Sequence, residues 1–185
     1  MAKKPAKTKS PENTKQNAEQ NAEQNAGQNQ EAERPQGPRQ IIMHAQYVKD
    51  ISFENPNAVR ALSNNGQQPN VEIGVQVNAD KVNDEQFEVR LQLTANAKTD
   101  EMTLFLVELT YAGLVSAPDA TPEEINPLVM IEGPRLLFPF ARAIISNLTR
   151  DGGFMPLNLQ PIDFVAVYRH SLEQQRKAAT DATKQ

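Results

Sequence analysis

The sequence has no cysteine among its 185 residues, and none of its apolar runs is long enough to cross a bilayer. Without cysteine there is no disulfide, no thiolate nucleophile and no cysteine metal site, a composition compatible with a reducing compartment. A membrane-spanning helix needs about 20 consecutive apolar residues. The N-terminus carries lysines but lacks the apolar segment of a secretory signal. We therefore expect a cytoplasmic protein that does not insert directly into membranes.

Motifs for catalysis or cofactor binding are also scarce. The two histidines, His44 and His170, have neither the spacing of metal ligands nor that of a base beside a nucleophile. Gly152-Gly153 lacks the Lys-Ser/Thr that would follow in a phosphate-binding loop. The acidic pair Glu123-Glu124 suits the start of a helix better than acid–base catalysis. We predict no enzyme activity, no cofactor and no metal site.

Charge is distributed unevenly along the chain. Residues 1–40 contain seven Lys/Arg and five Asp/Glu, net +2, which leaves twelve and eighteen in residues 41–185, net −6. A protein that binds the phosphate backbone usually concentrates positive charge on its folded domain. The acidic remainder of this chain therefore argues against a nucleic-acid-binding domain.

Composition divides the chain into three segments. Residues 1–38 consist mainly of Lys, Pro, Gln, Asn, Glu and Ala, and a tetrapeptide recurs between Asn17 and Gln28. Such a segment cannot bury enough apolar surface to offset the entropy lost on ordering. We predict a disordered Gln/Asn-rich N-terminal tail at 1–38, one folded domain at 39–175 and a flexible C-terminal tail at 176–185.

Four stretches of the folded domain show the period of two that is typical of strands. Three of them, near 40–54, 71–78 and 87–94, alternate apolar with polar residues. The fourth runs from Met102 to Leu114 and is apolar on both sides. Because two helices can cover only one face of a sheet, the fourth strand predicts a subunit interface. The candidate interface residues are Val107, Leu109 and Tyr111.

Helical signals follow the strands. Thr121-Pro122-Glu123-Glu124 has the spacing of a capping box and predicts a short helix that ends or kinks at Gly133-Pro134. Helical periodicity then continues to Gly152-Gly153, and a further helix is predicted to begin near Asp163. Four strands followed by helices favour an α+β fold, with a four-stranded antiparallel sheet and two main helices on one side.

The segment that connects the two main helices is unusually apolar. Since a loop normally exposes polar groups to water, its large side chains either plug the core or line a groove for an apolar partner. We keep both alternatives. The groove hypothesis extends the apolar loop, Phe154 to Ile162, onto one stripe of the following helix. Its predicted lining is Phe154, Met155, Leu157, Leu159, Ile162, Phe164, Tyr168 and Leu172.

The same region carries a resemblance to a known family. The run LLFPFAR at 136–142, the segment Gly153 to Ile162 and the following helix are similar to the SecB protein-export chaperones, as is the stretch Tyr47 to Asn57. The resemblance covers about Gln46 to Gln175. It implies a homotetramer, built as a dimer of dimers, that holds unfolded preproteins without using nucleotide and passes them to the SecA motor. It also implies a SecA-binding site at Asp50, Glu54, Leu106 and Glu108.

Two functions from different classes follow from these observations. The first is an ATP-independent chaperone that keeps secretory preproteins unfolded and competent for translocation. The second is a SecB-like adaptor dedicated to a single partner, such as a component of a toxin–antitoxin system. A small-ligand enzyme ranks last because the sequence offers no residues to carry a reaction.

Overall fold

The computed structural model describes residues 40–63 and 69–182, and the predicted tail at 1–38 lies outside them. The strands are β1 (Ile42–Glu54), β2 (Asn70–Lys81), β3 (Gln86–Lys98) and β4 (Thr103–Ser116), and the helices are α1 (Ala58–Ser63), α2 (Pro122–Asp151) and α3 (Phe164–Ala182). The strands form an antiparallel sheet in the order β1-β4-β3-β2. Helices α2 and α3 lie on one side of this sheet, so the predicted α+β fold is confirmed.

The sheet has a helix-covered face and an open face. Side chains of directly paired residues in an antiparallel sheet point to the same face. Leu109 pairs with Leu93, and Leu93 with Val75, so these residues share the helix-covered face. Fully buried side chains from the sheet and from α2 meet there and form the core. They include Val89, Leu91, Leu93, Leu109, Leu137 and Ile145.

Burial corrects the predicted subunit interface. Val107 is 0% exposed and Leu109 2% exposed, and both lie beneath the helices of their own chain. A second subunit cannot reach side chains that are already enclosed. Tyr111 is 7% exposed and stacks on Phe140 of α2, with ring centroids 6.4 Å apart. The apolar side of β4 that contains these three residues therefore belongs to the core of the subunit.

Strand β1 departs from simple alternation because it contains two irregularities. The register with β4 shifts between Met43 and Ala45 and again between Val48 and Asp50. Each shift inserts one extra residue into β1. After it, the residues that face the helices change from odd-numbered to even-numbered positions, or the reverse. The apolar odd positions of β1 therefore do not share one face, and Tyr47 lies on the open face while Phe53 lies beneath the helices.

Helix α2 is longer than the sequence pattern predicts. The Glu124 carboxylate accepts the Thr121 N–H at 2.9 Å, as in the expected capping box, but the helix then continues through Gly133-Pro134 to Asp151. Of the two alternatives predicted for Gly133-Pro134, the helix end is therefore wrong. A Cβ at this position would lie 2.9 Å from Val89 Cγ2, so glycine permits the helix to approach β3 closely.

The end of α2 and the start of α3 agree with their sequence signals, whereas the end of α3 does not. After α2 the chain reverses at Gly153, which has φ of 87°, a conformation that favours glycine. The Asp163 carboxylate caps α3 by accepting the N–H groups of Val165 and Ala166 at 2.9 and 3.1 Å. Helix α3 passes the expected boundary at Gln175 and ends at Ala182. Within the described residues, no helix is both long and apolar enough to span a membrane.

Candidate functional sites on two faces

The open face brings the four predicted docking residues together. Asp50 and Glu54 lie on β1, and Leu106 and Glu108 lie on the neighbouring strand β4. Glu54 pairs directly with Leu106, and Glu108 pairs with Ser52, two residues from Asp50. All four side chains therefore share one face, which their sequence spacing did not establish. The register shift at Lys49 is essential to this arrangement, because it gives Asp50 and Tyr47 the same face despite their opposite parity.

One part of the open face is internally neutralised. Glu88 on β3 accepts hydrogen bonds from Lys49 Nζ at 2.6 Å and from the Tyr47 hydroxyl, both of which reach across β4. Arg90 Nη1 lies 3.1 Å from Glu88 Oε2 and also pairs with Asp80 on β2. Ala112 of β4 pairs with both Tyr47 and Arg90, so its small side chain leaves room for this crossing. We call these five charged or phenolic residues the ion ladder: Tyr47, Lys49, Asp80, Glu88 and Arg90.

The contacts within the ion ladder shift the pKa values of three of its residues. The Lys49 ammonium, followed by the Tyr47 hydroxyl, lowers the pKa of Glu88 to about 2. The hydrogen bond to Glu88 raises the pKa of Tyr47 above its ordinary value. The neighbouring Asp80 carboxylate raises the pKa of Arg90. At neutral pH the ladder therefore holds its charges in pairs.

The remaining carboxylates of the open face near β1 are not neutralised. Asp50, Glu54 and Glu108 are exposed, and none of them has a hydrogen-bond or ion-pair partner within residues 40–63 and 69–182. By contrast, Glu72 on β2 pairs with Lys98 at 3.3 Å. The excess negative charge of the face is thus concentrated at Asp50, Glu54 and Glu108, the three carboxylates of the predicted SecA-binding site.

A polar depression of about 420 Å³ lies beside these carboxylates. It crosses all four strands, since its lining comes from Asp50 on β1, Glu108 on β4, Gln92 on β3 and Gln76 on β2. Sequence reasoning missed the part contributed by β2 and β3. Only the pairing of the strands places these amides next to carboxylates that are distant in the sequence.

On the other side of the sheet, the apolar loop mixes buried and exposed side chains. Phe154 packs on Phe105, with ring centroids 5.0 Å apart, while Leu157 and Ile162 are half-buried against the core. Leu159 is 5% exposed, whereas Met155 is 87% exposed. The loop therefore packs into the core at Leu159, while Met155 remains exposed, and the groove alternative stays a prediction for the exposed part of the loop.

Two of the predicted groove residues belong to the core. Leu159 is enclosed, and Phe164 at the start of α3 is 2% exposed with its ring 6.0 Å from that of Phe138. The structure corrects the predicted lining at both positions, because their side chains are already covered by the same chain. Phe154, Leu157 and Ile162 retain partial exposure.

A second surface lies between α3 and the free edge of β2, and its lining mixes apolar with polar side chains. Tyr168 and Leu172 line a cleft of about 890 Å³ together with Met130 of α2 and with Val75 and Val77 of β2. We call this the α3 cleft. The sequence predicted the α3 residues of this cleft but not the β2 residues. The apolar positions of β2 recur at every second residue, as expected for a strand with one covered face. This pattern alone did not show which helix they face.

A third apolar surface combines β1 with α2. Val48 is 44% exposed and Ile51 42%, and on α2 Leu136 is 42% exposed and Phe140 48%. Val48 pairs with Tyr111, which stacks on Phe140, so the group is contiguous. We call these four exposed residues the β1–α2 patch. Contiguous exposed apolar side chains of this kind usually contact another protein.

Comparison with known proteins shows a family to which the sequence is similar. The model of the family described as preprotein translocase subunit SecB matches residues 32–175. Protein-export protein SecB of Bradyrhizobium diazoefficiens is 48% identical over 143 residues, covering 77% of this chain and 89% of that protein. The protein of the same name from Methylocella silvestris is 52% identical over 129 residues, covering 70% of this chain and 80% of that protein.

Solved structures include a SecB-like chaperone of Mycobacterium tuberculosis in complex with a peptide from the HigA1 antitoxin. It is 19% identical to this chain, and the match covers 67% of this chain and 91% of that one with a TM-score of 0.49.

Proposed function

Because the chain belongs to the SecB family of preprotein-export chaperones, we propose that it binds unfolded clients on the helix-covered side of its sheet and the SecA motor on the open face. The chain is a chaperone of protein export that binds unfolded proteins, which confirms the resemblance. One observation carries the finer proposal. The partly exposed apolar surfaces and the unpaired carboxylates lie on opposite faces of the same sheet.

The apolar loop and the α3 cleft are the proposed client-binding surfaces. Phe154, Leu157 and Ile162 present partly exposed apolar side chains, and Met155 projects into solvent. Tyr168 and Leu172 line the α3 cleft, which is the second proposed client-binding surface. Methionine and aromatic side chains adapt to varied apolar partners, which suits a chaperone that binds many sequences. Binding of this kind needs no nucleotide, cofactor or catalytic step.

Charge supports the open face as the SecA-binding surface. Asp50, Glu54 and Glu108 have no internal partner among the described residues, so a basic segment would meet carboxylates that are free to pair. Leu106 is half-buried between them and adds an apolar contact. Complementary exposed charges mainly accelerate association and weaken as salt increases.

A homotetramer, built as a dimer of dimers, is the proposed assembly, with the β1–α2 patch as a subunit interface. This proposal replaces the buried β4 residues with the exposed residues of the patch, Val48, Ile51, Leu136 and Phe140.

Phe140→Asp should reduce the mass measured by sedimentation, because a charge would be placed in an apolar contact. Val59→Asp is the matched control, since Val59 is apolar and 81% exposed on α1. An unchanged mass for both variants would reject the interface.

The dedicated-adaptor alternative is not better supported, since the curated relatives compared above are named as protein-export proteins. The chaperone proposal includes a cytoplasmic location, where unfolded preproteins would be met before translocation.

Simultaneous binding of an unfolded polypeptide and SecA tests whether the two proposed sites are separate. Titration calorimetry with the full chain would use reduced, carboxymethylated α-lactalbumin, a permanently unfolded polypeptide, in the absence and presence of saturating SecA. We expect similar affinity for the unfolded probe in both titrations, because the two surfaces lie on opposite faces. Mutual exclusion of the probe and SecA would contradict the proposal.

A further inference from the structure

Thr149 is a polar side chain with no exposed surface, located near the end of α2. Its hydroxyl donates its hydrogen to two carbonyl oxygens of the preceding turn, that of Ile145 at 3.0 Å and that of Ser146 at 3.1 Å. These bonds stay within the helix. The same Oγ1 also accepts the backbone N–H of Leu157 at 2.9 Å, and Leu157 belongs to the apolar loop. One buried hydroxyl thus joins the helix to the loop.

The main chain of Thr149 provides a second connection. Its carbonyl oxygen accepts the N–H of Phe154 at 3.0 Å, after the chain has reversed at Gly153. The loop is therefore held to one residue of α2 at both Phe154 and Leu157. Between these two points lie Met155 and Pro156, which are exposed. The two bonds together define how the tip of the loop projects from the helix.

Loss of the hydroxyl would affect the loop specifically. Leu157 is half-buried against the core, so its N–H would lose its partner where water has limited access. A buried amide without a partner is costly, and the loop would shift to hydrate it. The backbone bond at Phe154 would remain. The segment from Met155 to Leu157 would then sample positions that the hydroxyl now excludes.

We propose that Thr149 is a positioning residue for client binding, whose hydroxyl holds the apolar loop in the conformation that presents Met155 and Leu157 to an unfolded chain. The inference depends on the proposed placement of clients at this loop. A surface that is already ordered loses less conformational freedom when a client binds, and the client is retained longer. Thr149 does not touch the client and acts only through the loop.

Two substitutions in the full chain isolate the hydroxyl. Thr149→Val keeps the branched shape but removes the acceptor, and Thr149→Ser restores the acceptor while removing a methyl group. Hydrogen exchange at the Leu157 amide should be roughly tenfold faster in Thr149→Val and close to wild type in Thr149→Ser, as expected for the loss and return of one hydrogen bond. Equal exchange in Thr149→Val and wild type would overturn the proposal.

Client release supplies the functional readout. Reduced, carboxymethylated α-lactalbumin should dissociate roughly two- to tenfold faster from Thr149→Val than from wild type, the range for one lost hydrogen bond, and Thr149→Ser should restore the slower rate. SecA affinity at the open face should not change. Faster amide exchange without faster probe release would reduce Thr149 to a structural role and overturn the inference.

Two further outcomes separate this inference from the proposals on which it depends. An equal loss of SecA affinity in Thr149→Val would indicate a general change of the fold and would also overturn the positioning role. If wild type itself fails to bind the unfolded probe, the proposed client function is wrong and the positioning role falls with it. Probe binding by the wild type is therefore measured first, because it distinguishes failure of the client-binding proposal from failure of the positioning role alone.

Discussion

The two faces of strand β4 place neighbouring residues in opposite environments. Val107 and Leu109 are enclosed beneath the helices, at 0 and 2% exposure, while Glu108 between them is exposed on the open face. Successive side chains in a strand point to opposite faces, so neighbours in sequence meet different environments. The core can therefore stay apolar while the adjacent position carries an exposed charge, which we propose is available to a partner.

The largest expected effect tests this contrast within β4. Leu109→Ala should lower the free energy of unfolding by about 2–5 kcal/mol, because it leaves a cavity in a packed core. Glu108→Ala, one residue away on the exposed face, should change it by less than about 0.5 kcal/mol. Denaturant unfolding of both variants gives the comparison. Similar losses for the two would mean that the open face is covered as well.

The apolar loop offers a second contrast between core and surface. Leu159→Ala should cost about 2–5 kcal/mol of stability, since Leu159 is buried. Met155→Ala should leave the melting temperature nearly unchanged, because the side chain is 87% exposed, and should weaken binding of an unfolded probe. Thermal melting and probe affinity would be measured on the same samples. Normal probe binding by Met155→Ala would remove the loop tip from the proposed client surface.

The carboxylates of the open face can be compared with exposed carboxylates elsewhere on the chain. Asp50→Asn combined with Glu108→Gln should reduce SecA affinity by roughly tenfold at low salt, mainly through slower association, and should reduce the dependence on salt. Asp100→Asn combined with Glu101→Gln is a control of equal charge change in the exposed turn before β4. If the control weakens SecA binding equally, net charge rather than the docking surface would explain the effect.

The ion ladder should contribute the smallest effect on stability, and the size of this effect depends on pH. Because the pKa of Glu88 is lowered from 4.5 to about 2 in the folded state, its contribution to stability is present above pH 4.5 and is lost as pH falls towards 2. Glu88→Gln should therefore be less stable than wild type at neutral pH by no more than about 1 kcal/mol. Its stability should also decline less between pH 4.5 and 2.

Acid denaturation followed by circular dichroism would test this prediction. Parallel pH curves for Glu88→Gln and wild type would show that Glu88 is not selectively stabilised in its ionised form.

The strongly periodic elements could be predicted from the sequence. The four strands and the caps at Thr121 and Asp163 depend on local spacing and local hydrogen bonds, which neighbours in the chain supply. The helix end that we kept as one alternative at Gly133-Pro134 is wrong, because packing of Gly133 against Val89 favours a continuous helix. Local signals for a turn were outweighed by a contact between residues distant in the sequence.

The candidate sites were only partly predictable for the same reason. Residue type and family resemblance identified Asp50, Glu54, Leu106 and Glu108 before the fold was known. Tertiary structure alone decided that they share one face, since a single extra residue at Lys49 reverses the alternation of β1. It also decided that Leu159 is core and Met155 is surface, because burial depends on what packs over a side chain, which hydrophobicity does not specify.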